Sequence, residues 1–245
     1  MSIKIDFHVH SIGSMDGRSS LEEIAARAKE RGLDAVCICD HNKESLRSPR
    51  FVDGVWLLPG CEISAQKEHI LAIMCEKALD IKQLRASGNP TSDAAIAMIH
   101  ECGGIAVIAH PFGHPLKVEW SDEHVNLAPD AIEVYNSRAW MSCPNANEKA
   151  LEYAKKKNYA MVGGSDGHLA VEVGNSYAEV DCVRIEDIKN AVLLHHVKPV
   201  FSQNAKRKYK GLSQLRRGKN SKTLRGKIRG LCIYIECSVL ELLGK

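Results

Sequence analysis

Short apolar runs alternate with amphipathic stretches along most of the chain. Ile3–Phe7 predicts a first strand. Ser20 and Glu23 form the S-x-x-E signature of a helix start, Leu21, Ile24, Ala25 and Ala28 recur at helical spacing, and Gly32 marks the stop. Ala35–Cys39 (AVCIC) reads as a buried strand, followed by strands at Val55–Leu58 and Ile70–Cys75. A helix is predicted from Thr91 or Ser92 through His100, ending at Gly103-Gly104. Strands follow at Ile105–Ala109 and Ala131–Tyr135, then a helix from Asn145 to Lys157. Ala160–Val162 and Tyr177–Cys182 complete the strands, and Glu186–His195 forms a closing helix.

Strands that are apolar throughout and alternate with helices indicate an α/β protein with a largely parallel sheet covered by helices. About seven strands over about 200 residues fit a barrel better than an open sheet. No internal repeat is visible. The 245 residues are 44% hydrophobic, enough for a buried core, and no apolar run approaches the ~18 residues that a membrane span needs. The first residues, MSIKIDFHVH, carry acid and histidine where a secretory leader would be apolar, so a cytoplasmic protein is expected. Nine cysteines without a CxxC pair, several of them inside apolar runs, are expected to be reduced thiols in the core.

Charge divides the chain. Residues 205–245 hold 12 Lys/Arg and 2 Asp/Glu, a net +10, whereas the remaining 204 residues hold 21 basic and 28 acidic side chains, a net −7. This suggests two segments, 1–204 as the folded body and 205–245 as a basic C-terminal extension. Ala205–Arg229 has no acidic residue and contains Gly and Ser, so it is expected to be a linker or arm. The final LCIYIECSVLELLGK is apolar enough for a helix docked on the body, a dimer contact or a membrane-surface anchor.

The metal-capable residues cluster at predicted strand ends. His8 and His10 end the first strand, Asp40 and His41 end AVCIC, Glu62 follows VWLLPGC, His110 ends IAVIA, and Asp166 and His168 follow AMVGGS. In parallel α/β folds these ends share one rim, where active sites are built. Side chains two apart on a strand point the same way, so His8 with His10, and Asp166 with His168, can grip one ion. Imidazole and carboxylate without sulfur suit zinc, manganese or iron. Asp16 and His69 complete a donor set large enough for about two or three divalent ions. Taken singly, Asp16 reads equally as a turn residue, His69 as a polar flank and Asp40 as a residue orienting a ligand. His100, His114, His124, His195 and His196 are assigned to surface or helix positions.

The ordered motifs DFHVHS, SMDG, CDH, GCEIS, HIL, AHP and GSDGH resemble the polymerase and histidinol phosphatase (PHP) family from residue 5 to residue 168, and VRIEDIKNAVLLHHVKPV resembles the closing segment of its small members. The resemblance implies a distorted seven-stranded β/α barrel with a trinuclear metal centre. Carried over, His8, His10, Glu62 and Asp166 would hold one ion; Glu62, as a bridge, would share a second with His69 and His110; and Asp16, His41 and His168 would hold the third. The aspartate at Asp16, where the family often has histidine, points to the small phosphoesterases and away from histidinol phosphatases.

The expected chemistry is hydrolysis of a phosphate mono- or diester by metal-activated hydroxide. His8, His10, Asp166 and His168 form its centre, and Arg138 is a candidate phosphate clamp because a guanidinium matches phosphate oxygens in a fork. The substrate would be a phosphorylated small molecule, such as a sugar phosphate, a nucleotide or an oligonucleotide. Two rivals stand beside it. An amidohydrolase also opens with HxH on a barrel strand, and the basic tail suits a nucleic-acid-binding protein, although Tyr209 alone offers little base stacking.

Overall fold

Residues Ile3–Val9 form β1, buried along nearly its whole length, as the uninterrupted apolar run requires. The computed structural model describes residues 2–113, 120–202 and 205–243. After β1 come α1 (Leu21–Glu30), β2 (Ala35–Ile38), β3 (Arg50–Val52), β4 (Val55–Ser64) and β5 (His69–Ile73). Next are α2 (Ile81–Leu84), α3 (Ser92–Glu101), β6 (Ile105–Ala109), β7 (Ala131–Asn136), α4 (Ser137–Ser142) and α5 (Ala146–Lys157). The chain continues through β8 (Ala160–Gly164), β9 (Ser176–Val180), α6 (Ile188–Leu193), β10 (Val197–Phe201), α7 (Arg207–Lys219) and α8 (Leu224–Leu242). The Ser20/Glu23 capping box and the Thr91 N-cap are both formed.

The strands make one mixed sheet in the order β10-β9-β1-β2-β4-β5-β6-β7-β8, with β3 paired to β4. β1, β2 and β4 run parallel, as do β6, β7 and β8, while β5 runs antiparallel between β4 and β6. The sheet curls until its far side meets its start. His10 N donates to Gly167 O at 2.8 Å, Asp166 N donates to His8 O at 2.7 Å, and Val9 bridges to Gly167 in parallel sense. Gly164 permits this approach, since a Cβ there would lie 2.4 Å from His8 Cβ. Asp6 strengthens the seam by accepting N–H groups of His8, Ser165 and Gly174, and burial raises its pKa to about 6. One apolar cluster fills the interior between Phe7, Cys37, Leu58, Leu71, Val107 and Val162. A second lies outside the sheet under α3 and α5.

The α/β class and the barrel-like closure agree with the sequence, but there are ten strands instead of about seven. β3 belongs to a hairpin turned by Asp53-Gly54, both at positive φ (49° and 89°), the Asp-Gly turn that matches strand twist. β10 follows the helix that sequence placed last. All nine cysteines are unpaired, and six of them are buried. His100, His195 and His196 are exposed; His114 lies outside the described residues, as does the side chain of His124.

The expected linker at 205–229 is instead an antiparallel helix pair, α7 and α8. Its seam is made of small residues, Gly211 and Gly218 on α7 against Cys237 and Gly230 on α8. A Cβ on Gly230 would sit 2.6 Å from Gln214 O and 2.7 Å from Gly218 Cα, so the helices cross at backbone contact. The final apolar stretch joins α8, yet Leu224, Ile228, Leu231, Ile235, Val239 and Leu242 face outward. Among the described residues no helix is long and apolar enough to cross a membrane. Gly230→Val forces the helices apart and is expected to cost about 1–3 kcal/mol. Hydrogen exchange should show protection lost over 207–242 and retained in β1 and β6; unchanged protection in both would refute the close crossing.

Candidate metal centre

Six parallel-oriented strands deliver their C-terminal ends to one rim, and that rim collects every metal-capable residue singled out in sequence. His8 lies near the end of β1, His10 just beyond it, His41 after β2 and Glu62 near the end of β4. His110 follows β6, and Asp166 and His168 follow β8. His69 opens β5, and because β5 runs the opposite way its first residue reaches the same rim. His110 and Asp166 have left-handed backbones (φ 33° and 53°), a conformation costly for non-glycine residues that tends to mark functional sites.

At the centre, His8 Nε2 and His10 Nε2 lie 3.1 Å apart. Glu62 Oε2 is 3.5 Å from His8 Nε2 and 3.3 Å from His10 Nε2; Asp166 Oδ1 is 3.9 and 3.4 Å from the same atoms. Donors bonded at 2.0–2.1 Å to a tetrahedral zinc stand about 3.3 Å apart. These four atoms therefore have the separations of ligands around one ion. The other Glu62 oxygen, Oε1, is 2.5 Å from His69 Nδ1 and 3.3 Å from His110 Nε2. On the far side, Asp16 Oδ1 is 3.5 Å from His168 Nε2, and Asp16 Oδ2 is 3.7 Å from His41 Nε2. His41 also approaches Glu62 Oε2 through Nδ1 at 2.8 Å, without completing an aligned hydrogen bond. Indeed Asp16 Oδ1, His41 Nδ1 and Glu62 Oε2 are buried atoms that lack a hydrogen-bond partner. Buried polar atoms left in this state need explanation, and a coordinated cation supplies it. By this test the donor set fits divalent ions.

A surrounding layer fixes which ring nitrogen faces the centre. His8 Nδ1 contacts Glu133 Oε1 at 3.1 Å, His10 Nδ1 contacts Ser14 Oγ at 3.1 Å, and His168 Nδ1 donates to the Asp166 carbonyl at 2.8 Å. Each therefore presents Nε2 inward, the usual arrangement for a ligating imidazole. Asp40 accepts from Ser11 N at 2.7 Å, from Ser11 Oγ at 2.6 Å and from the Ser45 hydroxyl, so it anchors the loop after β1. Gly17 lets that loop fold back, since a Cβ there would meet Ser11 O at 1.9 Å. Glu133 was missed in the sequence; its signal was a single acid inside the apolar run AIEVYN.

Electrostatics follow from the crowding. Burial opposes ionisation of Glu62, Asp16 and Asp166, but the neighbouring histidines outweigh it and hold all three well below the usual carboxylate range. Burial likewise opposes charging of the histidines, yet the carboxylates raise His8 and His110 and push His41 up to about 10. His168 differs: burial, then the charges of Arg138 and His10, push it down to about 4.

Arg138 sits in the first turn of α4 and is buried. Its Nη1 lies 3.3 Å from Glu172 Oε1, and its Nη2 donates to the Ser213 hydroxyl on α7. Arg138 also lines a pocket of about 430 Å³ over the metal-capable cluster, whose wall includes Glu62, Asp166 and His168 and, from the C-terminal helices, Arg207, Lys210 and Arg217.

Comparison with known proteins agrees with this geometry. A family model described as PHP-associated matches residues 144–194. An uncharacterized protein of Methanocaldococcus jannaschii is 30% identical over 195 residues, which span 75% of this chain and 73% of that one. A probable phosphatase of Shewanella loihica is 24% identical over 247 residues, 87% of this chain and 98% of the relative. Among solved structures, a two-domain protein of Bacteroides vulgatus containing a predicted PHP-like metal-dependent phosphoesterase superposes with a TM-score of 0.61 at 20% identity, over 87% of this chain and 69% of that chain.

Proposed function

We propose that this chain, which belongs to the PHP family, is a metal-dependent phosphoesterase. The observation that carries the reading is the set of four donor atoms on His8, His10, Glu62 and Asp166 at the rim of the barrel: the two imidazole nitrogens lie 3.1 Å apart, and each carboxylate oxygen lies 3.3–3.9 Å from both. These residues would hold one ion, Glu62 would share a second with His69 and His110, and Asp16, His41 and His168 would hold a third. Zinc, manganese and iron all suit such ligands.

Bound divalent ions supply Lewis acidity, lowering the pKa of water towards neutrality and offsetting charge on the phosphoryl oxygens. The chain's own residues do the rest. Glu133, Ser14 and the Asp166 carbonyl keep Nε2 of His8, His10 and His168 aimed at the centre. Glu172 and Ser213 hold Arg138 in one orientation, so a fixed guanidinium meets the substrate phosphate without reorganising. His41, whose pKa is pushed up to about 10, is the candidate proton donor to a leaving oxygen, and ligation competes with that role. Burial pushes the thiols of Cys39 and Cys61, which adjoin Asp40 and Glu62 in the chain, up and away from thiolate. Substrates are phosphorylated small molecules or nucleotides, including the ends of oligonucleotides.

Elemental analysis of the purified protein, combined with a panel of phosphomonoesters, phosphodiesters and cyclic amides, tests the reading. Two or three ions per chain (roughly, by donor count) and chelator-sensitive hydrolysis of a phosphoester are expected. Activity that persists in metal-free protein, or that is confined to amides, would overturn it.

The raised histidine pKa values add a second prediction. In the metal-free protein the neighbouring carboxylates raise His8, His41 and His110 above the ordinary imidazole range, so these rings hold protons to higher pH than a free histidine, and an ion must displace them. Zinc affinity should therefore rise with pH, with protons released on binding. Calorimetric titrations in two buffers of different ionisation enthalpy will read this release directly; identical enthalpies in both buffers would contradict it.

A further inference from the structure

The basic C-terminal segment, set apart in sequence as an arm, reaches the catalytic rim. Arg18 Nη1 donates to Leu212 O at 2.9 Å and Asn220 Nδ2 to Met15 O at 3.1 Å, tying α7 to the loop that carries Asp16. On the other side, Arg138 donates to the Ser213 hydroxyl, Lys210 to the Ser142 hydroxyl and Arg207 to the Met141 carbonyl, tying α7 to α4. Arg207, Lys210, Arg217 and, from α8, Arg229 line the same pocket as Glu62, Asp166 and His168. Arg217 Nη1 lies 3.7 Å from Asp16 Oδ2.

This arrangement needs an anion to complete it. Gathering several cations in one pocket is unfavourable unless negative charge lies among them. The strain is visible at Lys210, whose pKa is lowered by burial and then by the charges of Arg138 and Arg207. α7 itself offers no acid, as RKYKGLSQLRRGK shows. The carboxylates at the centre are engaged by histidines and, on the reading above, by ions. One phosphate at the ions and Arg138 leaves Lys210, Arg207 and Arg217 facing the outer part of the pocket.

We propose that α7 forms the distal wall of the substrate pocket, where Lys210 and Arg207, aided by Arg217, bind a second anionic group of the substrate, a phosphate or a carboxylate remote from the ester that is cleaved. The inference rests on the phosphoesterase reading only for the identity of the reacting group. It makes these cations specificity determinants and explains why Arg207 and Lys210 are partly buried while Lys206 and Lys208 are exposed.

Three substrates that differ only in the remote group provide the test with the full-length, ion-loaded protein: butyl phosphate, 4-phosphonooxybutanoate and butane-1,4-diyl bisphosphate. Charge-assisted hydrogen bonds to a second anionic group should raise kcat/KM for at least one of the two substrates that carry such a group about 100-fold over butyl phosphate. Whether the bisphosphate or the carboxylate gains more identifies the second group. Lys210→Met and Arg207→Met should each lower that preference about tenfold, mainly through KM, and Lys210→Arg should restore it. A wild-type preference below about threefold overturns the proposal, as does a preference that both methionine variants retain. Should no ester be hydrolysed with zinc, manganese or iron, the phosphoesterase reading fails. Calorimetric binding of the bisphosphate then decides the inference separately: binding weakened by Lys210→Met or Arg207→Met supports it, and absent or unaltered binding refutes it. The methionine changes keep the apolar stems, and thermal unfolding of each variant checks that the helix pair stays docked.

Discussion

Glu62→Gln should lower turnover at least a thousandfold and strip bound metal from the protein. Glu62 is the one side chain that reaches both halves of the centre: Oε2 faces His8 and His10, and Oε1 faces His69 and His110. Glutamine keeps the shape but loses the charge, and its NH2 would replace one of the two acceptor oxygens with a donor that cannot bind a cation. Several kcal/mol of transition-state stabilisation depend on metal ions in such sites, and each 1.36 kcal/mol is about a factor of ten in rate. The loss should appear in kcat and in metal stoichiometry together. The same change also removes the charge of a buried carboxylate that faces His8, His41, His69 and His110, so the metal-free variant should melt lower than metal-free wild type. A Glu62→Gln variant with full metal content and near-normal kcat would refute the bridging role.

The second large effect is on stability. Arg138→Met removes the cation from a buried ion pair, since Arg138 Nη1 lies 3.3 Å from Glu172 Oε1 and both side chains are almost inaccessible. Breaking one side of such a pair typically costs about 3–5 kcal/mol because the remaining charge is left in a low dielectric. Glu172 also accepts the backbone N–H groups of His168 and Leu169, each at 3.0 Å, so the penalty falls on the loop that positions a predicted ligand. Burial already raises the Glu172 pKa against the pull of Arg138. Without the arginine Glu172 should take up a proton more readily, making the variant relatively less unstable at acidic pH. Urea unfolding should show the loss for Arg138→Met and recover much of it in the double variant Arg138→Met/Glu172→Gln. Equal destabilisation of the single and double variants would mean that the charge of Glu172 is not the cause.

What could be read from the sequence, and what could not, has a common physical basis. The positions of His8, His10, His41, Glu62, His110, Asp166 and His168 were legible because each follows or ends an apolar run, and strand ends share a rim whenever strands are parallel. His69 broke that rule: it begins a strand, and only the antiparallel pairing of β5 with β4 and β6 explains its place. Glu133 was hidden inside a strand, where a buried acid looks like a break in an apolar pattern until its partner, His8, is known. The burial of Arg138 was not legible because it depends on Ser213 of α7, an element assigned to an arm. That assignment failed for a specific reason. Helix prediction relies on a stripe of large apolar residues, and the α7–α8 seam is made of glycine and cysteine, whose contribution is backbone proximity. The Asp53-Gly54 turn carried a hairpin signal, but its first strand is only three residues long.

The seam where β8 meets β1 bears on the order in which this molecule can mature. His8 and His10 precede Asp166 and His168 by more than 150 positions along the chain. The hydrogen bonds from Asp166 to His8 and from His10 to Gly167 are therefore among the longest-range contacts in the chain, and such contacts form slowly because a large loop must be ordered first. Until then the amino-terminal histidines and Glu62 form an incomplete ligand set in a nascent polypeptide. On the proposed ligand set, acquisition of the central ion would be tied to closure of the whole barrel, so that metal loading would report that β8 has met β1.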